Sequence, residues 1–398
     1  MTCQSRWCFA IGPRCDPVNE KNGENMMQPF GGVLQGTPVL VTGHTGFKGA
    51  WLTRWLTSLG AKVTGLALPA EQKDGPFVRG RLAETMKHVE GDIRDAALVK
   101  RVVKSARPRV VFHLAAQALV RRSYEIPVET AATNILGTMH VLEAIRAAGH
   151  PCAVVVVTSD KCYENREWDY SYRENDPMGG HDVYSASKGC AELMATSYRR
   201  SFFGDGSKVA LATARAGNVI GPGDWSQDRI IADAIRSLKA GAFIPVRNPQ
   251  ATRPWQHVLE PLSGYLWLGA KLLSKDARSY AEAWNFGPRA EAARPGSDLV
   301  DRVVAAWGSG SWKFTGRPGQ PHEAHYLSLN IDKTVSRLPW GPVWDFDTTV
   351  RHTVAGYRAL LAAGRRADVV RAVLDAEIAA YGGAAQQGGQ KWAMDNGR

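Results

Sequence analysis

Residues 39–49, VLVTGHTGFKG, limit what this chain can fold into more than any other stretch. Val39, Leu40 and Val41 make a β-branched and leucine run. Gly43, Gly46 and Gly49 follow, and an amphipathic run opens at Ala50, Trp51 and Leu52. A strand, a glycine-rich turn and a helix in this order form the entry to a dinucleotide-binding unit. The glycines let the backbone turn tightly and approach a pyrophosphate. The helix N-terminus offers that group unpaired N–H donors and partial positive charge. Gly43, His44, Thr45, Gly46, Phe47 and Gly49 are therefore candidate cofactor contacts. The spacing is GxxGxxG rather than the commoner GxGxxG, so taken alone it also fits a glycine turn before an ordinary helix.

The pattern downstream supports the first reading. Strands are predicted at 38–42, 62–68, 89–93 and 109–114, with helices at 49–59, 95–106 and 127–148 between and after them. Ala153 to Val157, AVVVV, is a continuous apolar run, as expected of a central parallel strand covered on both faces. Alternating strands and helices predict an α/β fold: a Rossmann-like, doubly wound parallel sheet with a smaller C-terminal α/β substrate lobe. Asp92 and Ile93, at the end of the third strand, are placed to meet an adenine; a loop aspartate near a helix start is the alternative. Leu114, Ala115, Ala116 and Gln117 end the fourth strand with small residues that let backbone approach a cofactor ribose. The second strand should end in an acid that holds the adenosine ribose. Leu68, Pro69 and Ala70 stand there instead, with Glu71 and Asp74 displaced and no arginine for a 2′-phosphate, which favours NAD over NADP.

The expected organisation is a disordered leader at 1–30, an NAD-binding domain at 31–217, a substrate lobe at 218–370 interleaved with late sheet elements, and a flexible Gly/Gln-rich tail at 383–398. Met26 and Met27 stand just before the organised part, so an upstream start-site artefact is a second reading of the leader. The net charge is +11, from 49 basic and 38 acidic residues. The basic residues are scattered, which fits a nucleotide-binding cleft and no nucleic-acid partner. The six cysteines lack paired CxxC spacing, so neither a metal site nor a disulfide framework is expected. With no long apolar segment, a cytoplasmic protein without membrane contact is expected.

Two stretches carry the chemistry. Thr158, Ser159, Asp160 and Lys161 follow the central strand, and chemistry in an open parallel sheet gathers at carboxyl strand ends. Tyr184 and Lys188, in YSASK, are four residues apart on a predicted helix and share a face. A nearby ammonium favours tyrosinate and makes the phenol a usable base.

Together, GxxGxxG, the LAAQ strand end, Asn134, Ser159 and YxxxK resemble an extended short-chain dehydrogenase/reductase. GHTGFKGAWL, TSDKCYEN, RAGNVIGPGDW and RNPQATRPWQHVLEPLSGYL are similar to its CDP-glucose 4,6-dehydratase branch. The likeness runs over residues 35–365. It implies a tightly held NAD that is regenerated in each turnover, and a nucleotide-sugar substrate. In those roles Tyr184 takes the proton of the sugar 4-hydroxyl, Lys188 holds the nicotinamide ribose and depresses the Tyr184 pKa, and Ser159 hydrogen-bonds the 4-oxygen. Asp160 is the general acid at the 6-hydroxyl. Lys161 is the C5 base, if burial or Lys188 keeps it unprotonated, or else an enolate stabiliser. Asn218, Arg253 and Arg229 contact the diphosphate. Trp225 and Trp255 are either core or face the substrate. A 4-epimerase or dehydrogenase of the same superfamily is the competing activity, and an NAD-sensing binding protein the competing class. The resemblance also implies a homodimer or homotetramer, paired through the segments around 127–148 and 184–203.

Overall fold

A computed structural model describes residues 28–289, 292–316 and 326–394. The leader expected at 1–30 falls outside these up to residue 27. Seven parallel strands form the main sheet: β1 (Pro38–Thr42), β2 (Lys62–Ala67), β3 (Lys87–Glu90), β4 (Val110–His113), β5 (Cys152–Val157), β6 (Val209–Ala216) and β7 (Ala283–Phe286). Their spatial order is β7-β6-β5-β4-β1-β2-β3. The chain winds from β1 outward to β3, then returns to β1's other side as β4. Thr42 pairs with Leu66 on one side and with His113 on the other. This reversal opens a crevice at the carboxyl ends of β1 and β4, where an open α/β sheet takes its ligands.

β5 shows why its sequence is apolar throughout. Ala153, Val155 and Val157 face one core, which includes helix Leu259–Lys271. Cys152, Val154 and Val156 face the other, with Val141, Leu142 and Ile145 of helix Gly137–Ala148. Each valine buried this way stabilises the fold by about 1.5–3 kcal/mol. Chain 259–286 thus returns to the main sheet after the second lobe has begun. That lobe packs helices Ile230–Lys239, Gly296–Trp307 and Phe346–Ala363 around Ile235, Leu299, Val303 and Val350.

Three expectations need correction. The third strand ends at Glu90, so Asp92 lies in the turn beyond it. The helix predicted across 127–148 contains a π-turn at Ala132–Leu136, between Pro127–Ala131 and Gly137–Ala148. Such a turn adds one residue to a helical turn and commonly marks a functional site. The tail expected to be flexible from 383 is helical through Gln387 and again at Lys391–Met394. Its anchor is Trp392, 1% exposed, which stacks on Phe30 at 5.1 Å and on Tyr381 at 5.8 Å. An indole buried between two rings fixes a segment that composition alone marks as loose. The same contact places Phe30, the end of the expected leader, in the core.

Candidate active site

A cavity of about 1150 Å³ opens at the carboxyl ends of β1, β4 and β5. One side is the glycine turn. Gly43 has φ +75°, and a Cβ there would lie 2.7 Å from the Ala115 nitrogen. A Cβ on Gly49 would lie 2.1 Å from the Gly43 carbonyl oxygen. Both close approaches involve backbone, so only glycine serves at either place. Helix Phe47–Ser58 starts here with no side chain capping its N-terminus. The N–H groups of its first turn need acceptors, and a pyrophosphate supplies them. The site therefore fits a dinucleotide. Thr45, Gly46, Phe47 and Lys48 line the cavity beside these glycines. Lys48 is held at about 8: burial is the largest cause, Arg229 and Lys188 add to the lowering, and Asp160 and Asp224 oppose it.

His44 is a correction. Its ring is fully buried against β2 and β3 rather than in the cavity. Nε2 and His88 Nδ1 share a hydrogen bond of 2.7 Å, and the imidazole lies where a Cβ on Gly65 would be. Burial and His88 lower its pKa to about 4. Its role is to pack the turn onto the sheet.

At the adenosine end, Thr45 Oγ1 donates to the Leu68 carbonyl at 3.0 Å, and no acid follows β2 directly. Glu71, Gln72, Asp92 and Ile93 line this corner. Asp92 accepts from the Arg94 backbone N–H and from its guanidinium, each at 2.8 Å. Burial works against this, but Arg94 outweighs it and holds the carboxyl below its ordinary range. Gln72 ties the corner to the second lobe: Nε2 donates to Ser226 Oγ at 2.7 Å, and Oε1 accepts from the Trp225 N–H at 2.9 Å.

Leu114, Ala115, Ala116 and Gln117 form the next wall. Asn134, at the π-turn, holds it in place. Its Oδ1 accepts from the Gln117 N–H at 2.8 Å, and its Nδ2 donates to the Gln117 carbonyl and to Ser187 Oγ. Ser187 lies on helix Val183–Ser201, between Tyr184 and Lys188. One amide thus fixes the β4 end relative to helix Val183–Ser201. His113 is packed between Thr42 and Thr138.

The five candidate catalytic residues line the same cavity. Ser159 starts the short turn Asp160–Cys162, and its Oγ accepts from the Lys161 N–H at 3.2 Å. It donates to Asp160 Oδ1 at 2.9 Å and hydrogen-bonds Tyr184. Asp160 is 2% exposed, and its Oδ2 has no hydrogen-bond partner. The Tyr184 phenol is held at about 12: burial is the largest cause, Ser159 and Arg229 work against it, and Asp160 and Asp182 add to it. Here the phenol lies above its ordinary value because burial outweighs the groups that lower it. Lys188 is itself lowered to about 8 by burial, against the pull of Cys162 and Glu192. Beneath this wall lies a buried ion pair, Glu192 with Arg215, at 2.9 Å.

The second lobe contributes Asn218, Arg229 and Arg253. Arg253 is 6% exposed on strand Thr252–Pro254, and Arg229 Nη2 donates to the Ala118 carbonyl across the cleft at 3.3 Å. Trp225 and Trp255 belong to the lobe's core and also border the cavity. Of the residues proposed from sequence, only the His44 side chain lies elsewhere. Gln72, Asp224, Glu192 and Arg215 went unread, since each gains its role from a partner far along the chain.

Residues 40–353 match the GDP-mannose 4,6 dehydratase family model. The chain belongs to this family. It is 49% identical over 330 residues to a CDP-glucose 4,6-dehydratase of Salmonella typhimurium, covering 82% of this chain and 91% of that protein. Among solved structures, a dTDP-glucose 4,6-dehydratase of Streptomyces venezuelae with NAD bound superposes with a TM-score of 0.68 at 25% identity, covering 80% of this chain and 96% of that one. An epimerase of Methanothermobacter thermautotrophicus gives a TM-score of 0.72 at 23% identity, over 85% and 96% of the two chains, and so shares the fold. Among the described residues, no helix of this dehydratase-family chain is long and apolar enough to cross a membrane.

Proposed function

We propose that this protein is an NAD-dependent hydro-lyase that converts CDP-D-glucose to CDP-4-dehydro-6-deoxy-D-glucose. The observation that carries the reaction type is Asp160: a buried acid with one unpartnered oxygen, beside Ser159 and Tyr184 in a cavity that also holds the glycine turn. Epimerisation at C4 needs no acid at C6, whereas elimination of water does. The CDP-glucose assignment rests on the Salmonella relative.

The glycine turn, the first helical turn after it and Lys48 would hold the NAD pyrophosphate, with Asp92 and Ile93 at the adenine and Lys188 at the nicotinamide ribose. The chemistry that bound NAD supplies is a temporary store for the hydride between C4 and C6. Tyr184 removes the 4-hydroxyl proton, and Ser159 hydrogen-bonds the same oxygen. The resulting 4-ketone acidifies C5. Lys161 takes the C5 proton, and Asp160 protonates the 6-hydroxyl as it departs as water. Arg253 and Arg229 bind the diphosphate, where a planar guanidinium offers two parallel charge-assisted bonds. Asn218 joins them from the GNVIG loop.

The test is incubation with CDP-glucose in deuterated water, followed by NMR. A 4-keto-6-deoxy sugar with deuterium at C5 and no net NADH is expected. A hexose epimerised at C4, or stoichiometric NADH, would refute the reading. The pairing implied by the family is supported by exposed apolar residues on two neighbouring segments: Val128 at 80%, Leu136 at 51% and Leu193 at 58%. A homodimer or homotetramer joined there should become monomeric on light scattering when Val128 and Leu193 are replaced by Lys.

A further inference from the structure

We propose that Gln72 latches the second lobe over the bound NAD and so sets how fast the cofactor enters and leaves. The inference rests on the cofactor placement above and not on the identity of the sugar nucleotide. The cofactor cleft is bounded by the helix that follows the glycine turn, the loop after β2 and the end of β4. Residues 222–229 of the second lobe are tied to each of these. Trp51 Nε1, on helix Phe47–Ser58, donates to the Pro222 carbonyl at 3.1 Å. Gln72, after β2, holds Trp225 and Ser226. Arg229 Nη2 reaches the Ala118 carbonyl, just beyond β4, at 3.3 Å. This strap thus crosses the cleft, and its Asp224, Trp225 and Ser226 line the same cavity as the glycine turn.

The strap is a fixed part of the second lobe. Tyr357 Oη donates to the Asp224 carbonyl at 2.5 Å, and Arg236 donates to the Trp225 and Ser226 carbonyls at 3.2 and 3.3 Å. Asp224 Oδ1 accepts from the Ser226 N–H at 3.0 Å and from its hydroxyl at 2.6 Å. Gly223 has φ +89°, and a Cβ there would lie 2.5 Å from Pro76 Cγ, so the strap lies directly on the loop after β2. Its ties to the cofactor domain differ in kind. Trp51 is fully buried and belongs to the core, whereas Gln72 is half-buried at the cavity edge. A side chain at that edge can turn aside without breaking the core.

The polarity of the contact explains why a glutamine serves. Its amide offers an acceptor and two donors at once. Oε1 accepts from the Trp225 N–H at 2.9 Å, so Nε2 faces the other way, where it donates to Ser226 Oγ at 2.7 Å and lies 3.4 Å from Asp224 Oδ1. The Ser226 hydroxyl proton is directed to Asp224, which leaves its oxygen to accept from Gln72. A carboxylate in place of the amide would keep no donor and would meet the Asp224 carboxylate. Both ends of the amide are spent on the strap, so the latch forms from protein groups alone. Gln72 is therefore a positioning residue that acts on NAD through the strap, and a closed strap bars the way in as well as the way out.

The experiment measures NAD exchange by the full-length protein without turnover. Release is read as loss of radiolabelled NAD into an excess of unlabelled NAD, and association by stopped-flow tryptophan fluorescence. Gln72→Met keeps the length of the side chain and loses two hydrogen bonds. Release and association should both quicken by about 5- to 150-fold, with Kd changed by less than about 3-fold. Gln72→Glu keeps the shape and should quicken both rates too; wild-type rates there would show that only packing matters and would overturn the latch. Adding Ser226→Ala to Gln72→Met should change the rates by less than about 2-fold, since their shared bond is already gone, and a full additive effect would count against it. Faster release with unchanged association would mean that Gln72 holds NAD directly, and slower association that the site is damaged; either outcome, or wild-type release from Gln72→Met, overturns the proposal. A wild type that binds no NAD would instead refute the cofactor placement on which the latch rests.

Discussion

Replacing Glu192 by Gln removes the charge beneath the wall that carries Ser159 and Tyr184 while keeping its shape. Glu192 lies four residues after Lys188 on the same helix and is 1% exposed. Its carboxylate accepts from Thr158 at 2.5 Å, from Thr213 at 2.7 Å and from Arg215 at 2.9 Å. Glutamine offers one acceptor oxygen in place of two and turns an NH₂ toward donors. It also leaves the buried Arg215 without a counter-charge. Removing one member of a buried pair costs about 3–5 kcal/mol. Arg215 retains the Glu174 carbonyl at 3.0 Å and the Tyr163 ring at 4.9 Å, which favours the lower half of that range. A domain holds about 5–15 kcal/mol in total, so the variant should fold but unfold at lower urea.

The assay is a urea-unfolding cycle with Glu192→Gln, Arg215→Met and the double variant. The double variant should cost less than the sum of the singles, because it leaves no unpaired charge. Additivity within about 0.5 kcal/mol would refute the reasoning. The pH dependence gives a second check. Burial raises the Glu192 pKa, but Arg215 and the hydrogen bonds outweigh it and place the folded value below the ordinary 4.5. That contribution is present above 4.5 and is lost as pH falls through the folded value. The gap between wild type and Glu192→Gln should therefore narrow on acidification below that point. Thr158 precedes Ser159, so kcat should fall too.

Gly43→Ala places a side chain at φ +75° and against the Ala115 backbone; with strain of about 1–2 kcal/mol before any clash, the purified protein should lose its NAD, read by the absorbance of the heat-released cofactor. Lys161→Met should form the reduced nicotinamide signal with CDP-glucose but release no water, and unchanged turnover would remove Lys161 from the C5 step. His44 and His113 are held near 4 and 3, below the ordinary 6.5, so the unfolded chain binds protons first as pH falls. Stability should decline from about pH 6.5 downward, and His44→Gln should flatten that decline in urea titrations at pH 7, 5 and 4.

What could be read from sequence was local. The glycine turn, the all-apolar β5 and the YxxxK pair follow rules that act within a few residues, and the structure gathers them around one cavity. Features that depend on a distant partner were not legible. His44 turns from the cavity because Gly65, on the neighbouring strand, leaves room for an imidazole, and because His88 on the next strand meets it. Neither fact is written in residues 39–49. Asn134 gains its role from a π-turn and from partners outside its own helix, Gln117 at the end of β4 and Ser187 on helix Val183–Ser201. The tail misled by composition: its glycines and glutamines outnumber its apolar residues, yet Trp392 finds Phe30 and Tyr381, and Ala385 and Ala393 are buried with it. The wall formed by Ser159, Asp160 and Tyr184 shows the same division. These three were legible as chemistry, but the hydrogen bond by which Ser159 occupies one Asp160 oxygen and leaves the other without a partner was not.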